Sequence, residues 1–247
     1  YASKKTNNLK AFTVAFENQE YNEALNAQTV AKELKLEHHI YKFGPQEIPN
    51  LLTNKISKFN EPLSDPSMLP TLALSLFARE HVKVVLTGDG ADELFFGYSR
   101  HVYFKRYWNT IRMIPLPLRY LFASTMRKVP ANYRNKFLSL FLASNLQITD
   151  KALRMLKIIG SESLSEAYEK SLEVKSSENF LDLDVSSSRI PDTKKACPDI
   201  VNYLRKMDFT HYLEADILTK TDRMTMLASL EGRAPFLSNR IIAFAQN

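Results

Sequence analysis

The run Val82-Lys-Val-Val-Leu-Thr-Gly-Asp-Gly-Ala-Asp-Glu-Leu-Phe-Phe-Gly-Tyr98 constrains this chain more than any other part of it. An apolar, β-branched stretch ends at Thr87. Two glycines then bracket one acid, two more acids follow, and an apolar helical pattern begins. The layout predicts a buried strand feeding a tight turn and a helix N-terminus, the place where open α/β sheets bind ligands. Gly88 and Gly90 permit positive φ and let backbone come close to a ligand. Asp89, Asp92 and Glu93 crowd carboxylates at one spot. Carboxylates repel phosphate, so a phosphate ligand there needs a magnesium ion between them. A plainer reading stands beside this one, because acids in a first helical turn also complement the helix dipole.

Upstream, strand and helix patterns alternate. Leu9-Lys-Ala-Phe-Thr-Val-Ala-Phe16 and His38-His-Ile-Tyr-Lys-Phe43 read as strands. Between them, Tyr21 to Leu36 carries Ala24, Leu25, Ala27, Val30, Ala31 and Leu34 at helical spacing. Gln46 to Phe59 predicts a second helix, with Ile48, Leu51, Leu52 and Ile56 on one face. Asp65-Pro-Ser predicts the start of a third, with Asp65 as N-cap and Pro66 in the first turn. From Leu69 to Ala78 that helix is apolar nearly all round, as a buried helix is. Strand, helix, strand, helix, strand implies right-handed crossovers and a parallel sheet. The expected fold is therefore α/β, with an α/β core over residues 1–98.

From Ser99 onward the pattern is helical, broken by Pro115, Pro117 and Pro130, and no convincing strand is visible. Residues 99–247 are expected to form a helical C-terminal lobe. Its charge is lopsided: between His101 and Gly160 there are 11 Lys and Arg residues and a single acid, Asp150, while the whole chain carries +6. Such a lobe, with Tyr103, Phe104, Tyr107, Trp108, Tyr120 and Phe122, has the composition of a nucleic-acid or anionic-membrane surface. Bases and aromatics do not alternate as a stacking platform requires. The expectation is that the aromatics form core faces and the cations solvated faces, with neither nucleic acid nor membrane as partner. A docking face for an acidic partner is the remaining alternative.

A further segment, Leu218-Thr-Lys-Thr-Asp-Arg-Met-Thr-Met-Leu-Ala-Ser-Leu-Glu-Gly-Arg-Ala-Pro-Phe-Leu237, sets Met224, Leu227, Ala228 and Glu231 at helical spacing. It also places Lys220, Asp222, Arg223, Glu231 and Arg233 among apolar residues. Partly buried charges pair, so an ion-pair network bracing two helices is one expectation here. The lone Cys197 excludes an intrachain disulfide and fits a reducing, cytoplasmic compartment. No apolar run reaches the length of a membrane span.

Taken together, Val85-Leu-Thr-Gly-Asp-Gly-Ala-Asp-Glu-Leu-Phe-Phe-Gly-Tyr98, Glu61-Pro-Leu-Ser-Asp-Pro-Ser67, Lys220-Thr-Asp-Arg-Met-Thr-Met226 and Leu230-Glu-Gly-Arg-Ala-Pro-Phe-Leu237 resemble the synthetase domain of glutamine-dependent asparagine synthetases. Ala11 to Phe16, Glu20 to Glu23 and His38-His39 fit as well, so the ordered set spans nearly the whole chain. The resemblance implies a parallel, Rossmann-like sheet of the adenine-nucleotide α-hydrolase type. It also implies a two-step reaction. ATP with Mg2+ adenylates the side-chain carboxylate of aspartate and releases pyrophosphate. Ammonia drawn from glutamine by an N-terminal glutaminase domain of the same protein then displaces AMP. Homodimers are usual in such proteins.

Carried over by motif position, Val14 meets adenine through its backbone. Thr87, Gly88 and Gly90 line the ribose and phosphates. Asp89 stands where many such synthetases carry Glu, and takes the proton from the attacking ammonia. Asp92 holds the magnesium, and Glu93 supports it or caps the helix. Asp65, Ser67 and Arg223 are candidates for contacting the substrate. The chain departs from the pattern in three places. It contains no Ser-Gly-Gly-x-Asp-Ser phosphate loop, which should precede Leu9, and it lacks the phosphate-contacting Lys expected after the Arg-x-Pro-Phe run. It also has no Arg between Glu61 and Ala78 to hold the substrate's carboxylate. The 247 residues thus read as part of a longer protein, inactive alone. Two other readings stay open: amidation or lactam closure on a different carboxylate, and a nucleotide-binding module without catalysis.

Overall fold

The computed structural model describes residues 2–6, 8–17, 22–58, 65–134, 136, 149–172 and 199–246. The expected contributions of Glu20, Tyr21, Glu61 to Ser64 and Cys197 fall outside them. Contacts divide the chain into two compact units, one of residues 1–94 and 209–247 and the other of Phe95–Asp208. The returning segment 209–247 thus joins the first unit rather than the helical lobe expected from Ser99 onward.

In the first unit, β1 (Lys10–Phe16) pairs in parallel with β2 (Glu37–Phe43), in register from Lys10 opposite Glu37 to Phe16 opposite Phe43. The crossover is α1 (Ala24–Glu33), which turns Ala24 and Ala31 inward and leaves Leu25 and Val30 exposed. The helix expected over Gln46 to Phe59 is shorter. It is α2 (Ile48–Asn54), flanked by single 3₁₀ turns at Pro45–Glu47 and Ile56–Lys58.

The third helix, α3 (Met68–Arg79), begins two residues later than expected. Its N-cap position falls to Ser67, while the Asp65 carboxylate accepts the Ser67 N–H at 2.8 Å. Leu72 and Ala73 are buried, with Leu51 of α2 and Met224 beside them. Met224 belongs to α10 (Thr219–Leu227), which packs along α3.

The third strand, β3 (Val84–Leu86), is shorter than expected and is not buried: Val84 and Leu86 are exposed. Its partner is also unexpected. β3 pairs in parallel with β4 (Glu231–Arg233), a strand in the region that reads as purely helical. Three residues centred on a glycine carry no alternating pattern, so β4 is invisible to periodicity. The ladder is closed by the Thr87 N–H donating to the Arg233 carbonyl (2.8 Å) and the Glu231 N–H donating to the Lys83 carbonyl (3.0 Å). Among the described residues there are two small parallel sheets, β1–β2 and β3–β4, rather than one continuous sheet. β1 and β3 line one cavity and do not pair with each other.

The second unit is helical. Its described helices include α5 (Ser99–Met113), α6 (Leu116–Lys128), α7 (Thr149–Ile159), α8 (Leu164–Leu172) and α9 (Ile200–Met207). Phe104 and Trp108 of α5 meet Ala167, Tyr168, Tyr203, Leu204 and Met207 in its core. The Asp208 carboxylate is fully buried there and accepts from Arg100 (2.6 Å), Tyr168 (2.6 Å) and His101. The expected division of aromatics into core faces holds for Phe104 and Trp108 only; Tyr120 and Phe122 are exposed. No helix among the described residues is long and apolar enough to cross a membrane.

Candidate functional site

The site grows from the turn after β3. Gly90 has φ +88°, a left-handed conformation that disfavours any side chain. A Cβ there would also lie 2.3 Å from Cδ2 of Leu237, so the segment after β4 seats directly on the turn. Gly88 differs. It is not among the positive-φ glycines, and a Cβ added to it would meet nothing within 4 Å. The backbone at Gly88 is therefore open to an approaching ligand, while Gly90 shapes the bend. Thr87 Oγ1 donates to Asp89 Oδ2 at 2.8 Å and fixes the direction of that carboxylate.

A cavity of about 930 Å³ opens beside this turn. Its lining includes Val14 on β1, Ser67 at the start of α3, Thr87, Gly88 and Asp89 on the turn, and Lys220 on α10. Most of the remaining wall is apolar, with Phe12, Leu74 and Val85 among the contributors. Its size and its apolar wall with a few convergent polar groups are those of a small-molecule pocket.

At the polar end of the cavity Ser67 and Lys220 contribute to the lining, and Asp65 is hydrogen-bonded to both. Lys220 Nζ donates to Asp65 Oδ2 (2.7 Å) and to Ser67 Oγ (2.8 Å), and Ser67 Oγ donates to the Asp65 carboxylate at 2.8 Å. Burial pushes the Asp65 carboxyl up, but the hydrogen bonds from Lys220 and Ser67 outweigh it and hold the group below its ordinary value. Asp216 shifts the other way: burial and the nearby Asp65 charge raise it, against the pull of Lys220 and a hydrogen bond from Tyr212. One lysine thus faces two carboxylates. In the sequence Lys220 stands out as a charge among apolar residues and as the first residue of the Lys220–Met226 motif. Its partner Asp65 lies 155 positions away, and no local pattern shows such a pairing.

The structure thus brings Val14, Ser67, Thr87, Gly88 and Asp89 around one cavity, with Asp65 joined through Lys220. It does not bring the three acids of the turn to one spot. Asp89 faces the cavity, Asp92 is exposed on α4 (Ala91–Phe95), and Glu93 is buried. Arg223 is exposed on α10, and neither it nor Gly90 is among the lining residues. A helix turns about 100° per residue, so adjacent acids at its start point to different surroundings. Among the described residues no group of three or more His, Cys, Asp or Glu is arranged to hold a metal. Magnesium asks for less: it takes one or two carboxylates and completes its shell with phosphate oxygens and water. Asp92 is solvent-facing on α4 and, like Arg223 and Gly90, is not among the residues lining the cavity.

These features define an α/β protein with a partly polar cavity at a strand–turn–helix junction. The asparagine synthase family profile matches residues 1–247, and the chain belongs to that family. It is 31% identical over 238 residues to asparagine synthetase [glutamine-hydrolyzing] 1 of Bacillus subtilis, covering 96% of this chain and 36% of that protein. Similarity to a putative asparagine synthetase [glutamine-hydrolyzing] of Mycobacterium bovis is 29% over 240 residues, covering 96% and 35%. A shorter match, 32% over 94 residues, covers 37% of this chain and 14% of the amidase chyE of Penicillium rubens. The chain spans about a third of the length of the synthetases it matches.

Proposed function

We propose that the protein containing this chain is an ATP-dependent amide-forming ligase that makes asparagine from aspartate in the cytoplasm. A carboxylate oxygen of the substrate attacks the α-phosphorus of ATP, the bond to the bridging oxygen breaks, and pyrophosphate leaves. Ammonia from glutamine, supplied by a glutaminase domain elsewhere in the same polypeptide, then attacks the acyl carbon. AMP leaves, and Asp89 accepts the proton that ammonia sheds. The observation that carries the reading is the placement of Thr87, Gly88, Asp89 and Lys220 around one cavity beside Val14.

Each residue has a physical task in this scheme. The apolar wall around Val14 takes the adenine. The uncovered backbone of Gly88 approaches the ribose and phosphates. Thr87 keeps Asp89 aimed at the reacting carbon. Lys220 offsets developing phosphate charge, exchanging part of its pairing with Asp65 for the ligand; such charge stabilisation and positioning dominate phosphoryl chemistry. Magnesium, when bound, neutralises pyrophosphate charge, and Asp92 is the residue that would hold it. Glu93, inside the fold, supports the turn, and Arg223 is assigned the outer rim of the substrate site.

The same reading extends to the fold. We place one further parallel strand, supplied by the longer polypeptide, between β1 and β3. It would turn the two small sheets into one Rossmann-like sheet and carry the phosphate loop at its end. The 247 residues contain no Ser-Gly-Gly-x-Asp-Ser run, so alone they are expected to release no pyrophosphate.

The test is ATP–pyrophosphate exchange by the full-length protein with aspartate and a panel of other carboxylates. Exchange that requires aspartate supports the reading. In Asp89→Asn, amide formation should fall about 10²–10⁴-fold, with adenylation less affected. Exchange only with another carboxylate shifts the assignment to an amide- or lactam-forming relative, a reading favoured by the absence of Arg between Glu61 and Ala78. No exchange with any carboxylate leaves a nucleotide-binding module and removes the ligase.

A further inference from the structure

Lys220 has two duties that compete. Its ammonium is the counter-charge of Asp65, donating to Oδ2 at 2.7 Å and to Ser67 Oγ at 2.8 Å. Both charged side chains are largely withdrawn from water, Asp65 at 14% exposure and Lys220 at 12%. In the proposed chemistry the same ammonium turns toward the phosphates, and its hold on Asp65 weakens. Among the described residues, the donors then left to Asp65 are the Ser67 N–H, 2.8 Å from Oδ1, and the Ser67 hydroxyl, 2.8 Å from either carboxylate oxygen. Both donors are neutral. Asp216, four positions before Lys220 on the helical run leading into α10, stands close enough for its charge to oppose that of Asp65. A carboxylate withdrawn from water needs a counter-charge, and a second carboxylate nearby sharpens the need.

The place that Lys220 gives up is chemically defined. It holds a primary ammonium that donates to one carboxylate oxygen and one hydroxyl oxygen. Ser67 and Lys220 both line the cavity, so a ligand reaches that place from inside it. An α-ammonium group has the same charge and the same tetrahedral set of N–H donors. A magnesium ion fits less well, because it demands an octahedral shell and keeps several waters, more room than one ammonium vacates. A hydroxyl there would donate a hydrogen bond but bring no charge.

We propose that Asp65 selects an α-amino acid as the acceptor: the α-ammonium of the substrate takes the place of Lys220 Nζ between Asp65 and Ser67 Oγ as the lysine moves to the phosphates. Binding of the substrate and release of the lysine are then one event. A carboxylate without the ammonium leaves Lys220 held by Asp65, and the phosphates lack its charge. The inference rests on the ligase reading and names the group by which that site recognises its substrate.

The test is ATP–pyrophosphate exchange by the full-length protein with L-aspartate, L-malate and succinate. The three share one carbon chain and bear an ammonium, a hydroxyl or a hydrogen at the same carbon. The kcat/KM for aspartate should exceed that for either other acid by at least about 10²-fold, because an analogue without the donor leaves the site's polar groups unpaired. Asp65→Asn keeps the shape and can still accept from Ser67, and it should narrow that ratio at least about tenfold. A merely structural role for Asp65 would lower exchange with all three acids alike and leave the ratio in place, which would overturn the proposal. So would equal exchange by the wild type with aspartate and malate, an outcome that leaves the ligase reading standing. No exchange with any acid removes the ligase reading and this inference with it. Should Asp65→Asn fail to fold, a crystal structure of the wild-type full-length protein with aspartate and a non-hydrolysable ATP analogue decides. The α-nitrogen within hydrogen-bond distance of the Asp65 carboxylate supports the proposal, and any other placement overturns it.

Discussion

Lys220 shows how much of this site rests on single side chains. It donates to Asp65, whose carboxyl is held below its ordinary value. A carboxyl depressed in the folded state contributes stability above its unfolded value, near pH 4, and loses it as pH falls through the folded value. Lys220→Met should therefore destabilise the first unit by about 1–3 kcal/mol at pH 7, and the deficit should shrink below about pH 4. Urea unfolding at pH 7 and pH 3 measures both. The two glycines of the turn separate shape from access. Gly90→Ala meets both a positive φ and Leu237, and should cost more than about 1 kcal/mol in thermal unfolding. Gly88→Ala should leave the melting temperature unchanged while weakening nucleotide binding. Tyr41 gives a spectroscopic handle. Burial, with the hydrogen bond it donates to Glu47, pushes its phenol up to about 12. Its contribution to stability is present below about pH 10 and is lost as pH rises through 12. An ultraviolet titration should show a late-ionising component that is smaller by one tyrosine in Tyr41→Phe.

Helix packing decides where those side chains stand. Asp65 and Ser67 immediately precede α3, Lys220 lies in the first turn of α10, and the two helices are locked by Leu72 and Met224, both fully buried. Leu72→Ala should cost about 2–5 kcal/mol, and it should also loosen the Lys220–Asp65 pair, because the cavity it leaves lies within that interface. Chemical denaturation measures the first effect, and a weakened ATP affinity in the still-folded fraction measures the second. The β3–β4 pair works in the same way on the other side of the cavity. By accepting from the Thr87 N–H, the Arg233 carbonyl fixes where the turn starts. Periodicity made β1, β2, α1 and α3 legible, since each is long enough to show its period. It could not show β4, and it overextended α2, where the 3₁₀ turns on either side continue the apolar spacing without continuing the helix.

The two units are stabilised by different means, and this makes them separable in experiment. The first is held by sheet pairing and the α3–α10 contact. The second gathers Arg100, His101 and Tyr168 around the buried carboxylate of Asp208. Asp208→Asn removes the charge these donors share and should cost about 3–5 kcal/mol in that unit. Hydrogen exchange should show protection lost in α5, α8 and α9 and retained in β1 and β2. The two sheets of the first unit make a separate demand. Strand edges carry unpaired N–H and C=O groups that seek partners, and β1 and β3 both border the same cavity. A structure of the full-length protein should show a strand between them, with the cavity shortened to the part around Thr87, Gly88, Asp89 and Lys220.

Length-dependent and order-dependent features were readable from the amino acids alone: the parallel pairing of β1 with β2, the acid turn after Thr87, and the ordered motifs that mark the family. Each is written in residues close together along the chain, where period, cap and turn chemistry act directly. Long-range geometry was not readable. That Asp89, Asp92 and Glu93 face three different surroundings, that β3 pairs with residues 231–233, and that Lys220 answers Asp65 all depend on contacts between segments more than a hundred residues apart or on the rotation of a single helical turn. Packing sets those relations, because the free energy of burying Leu72, Met224 and Leu230 is indifferent to their separation in sequence.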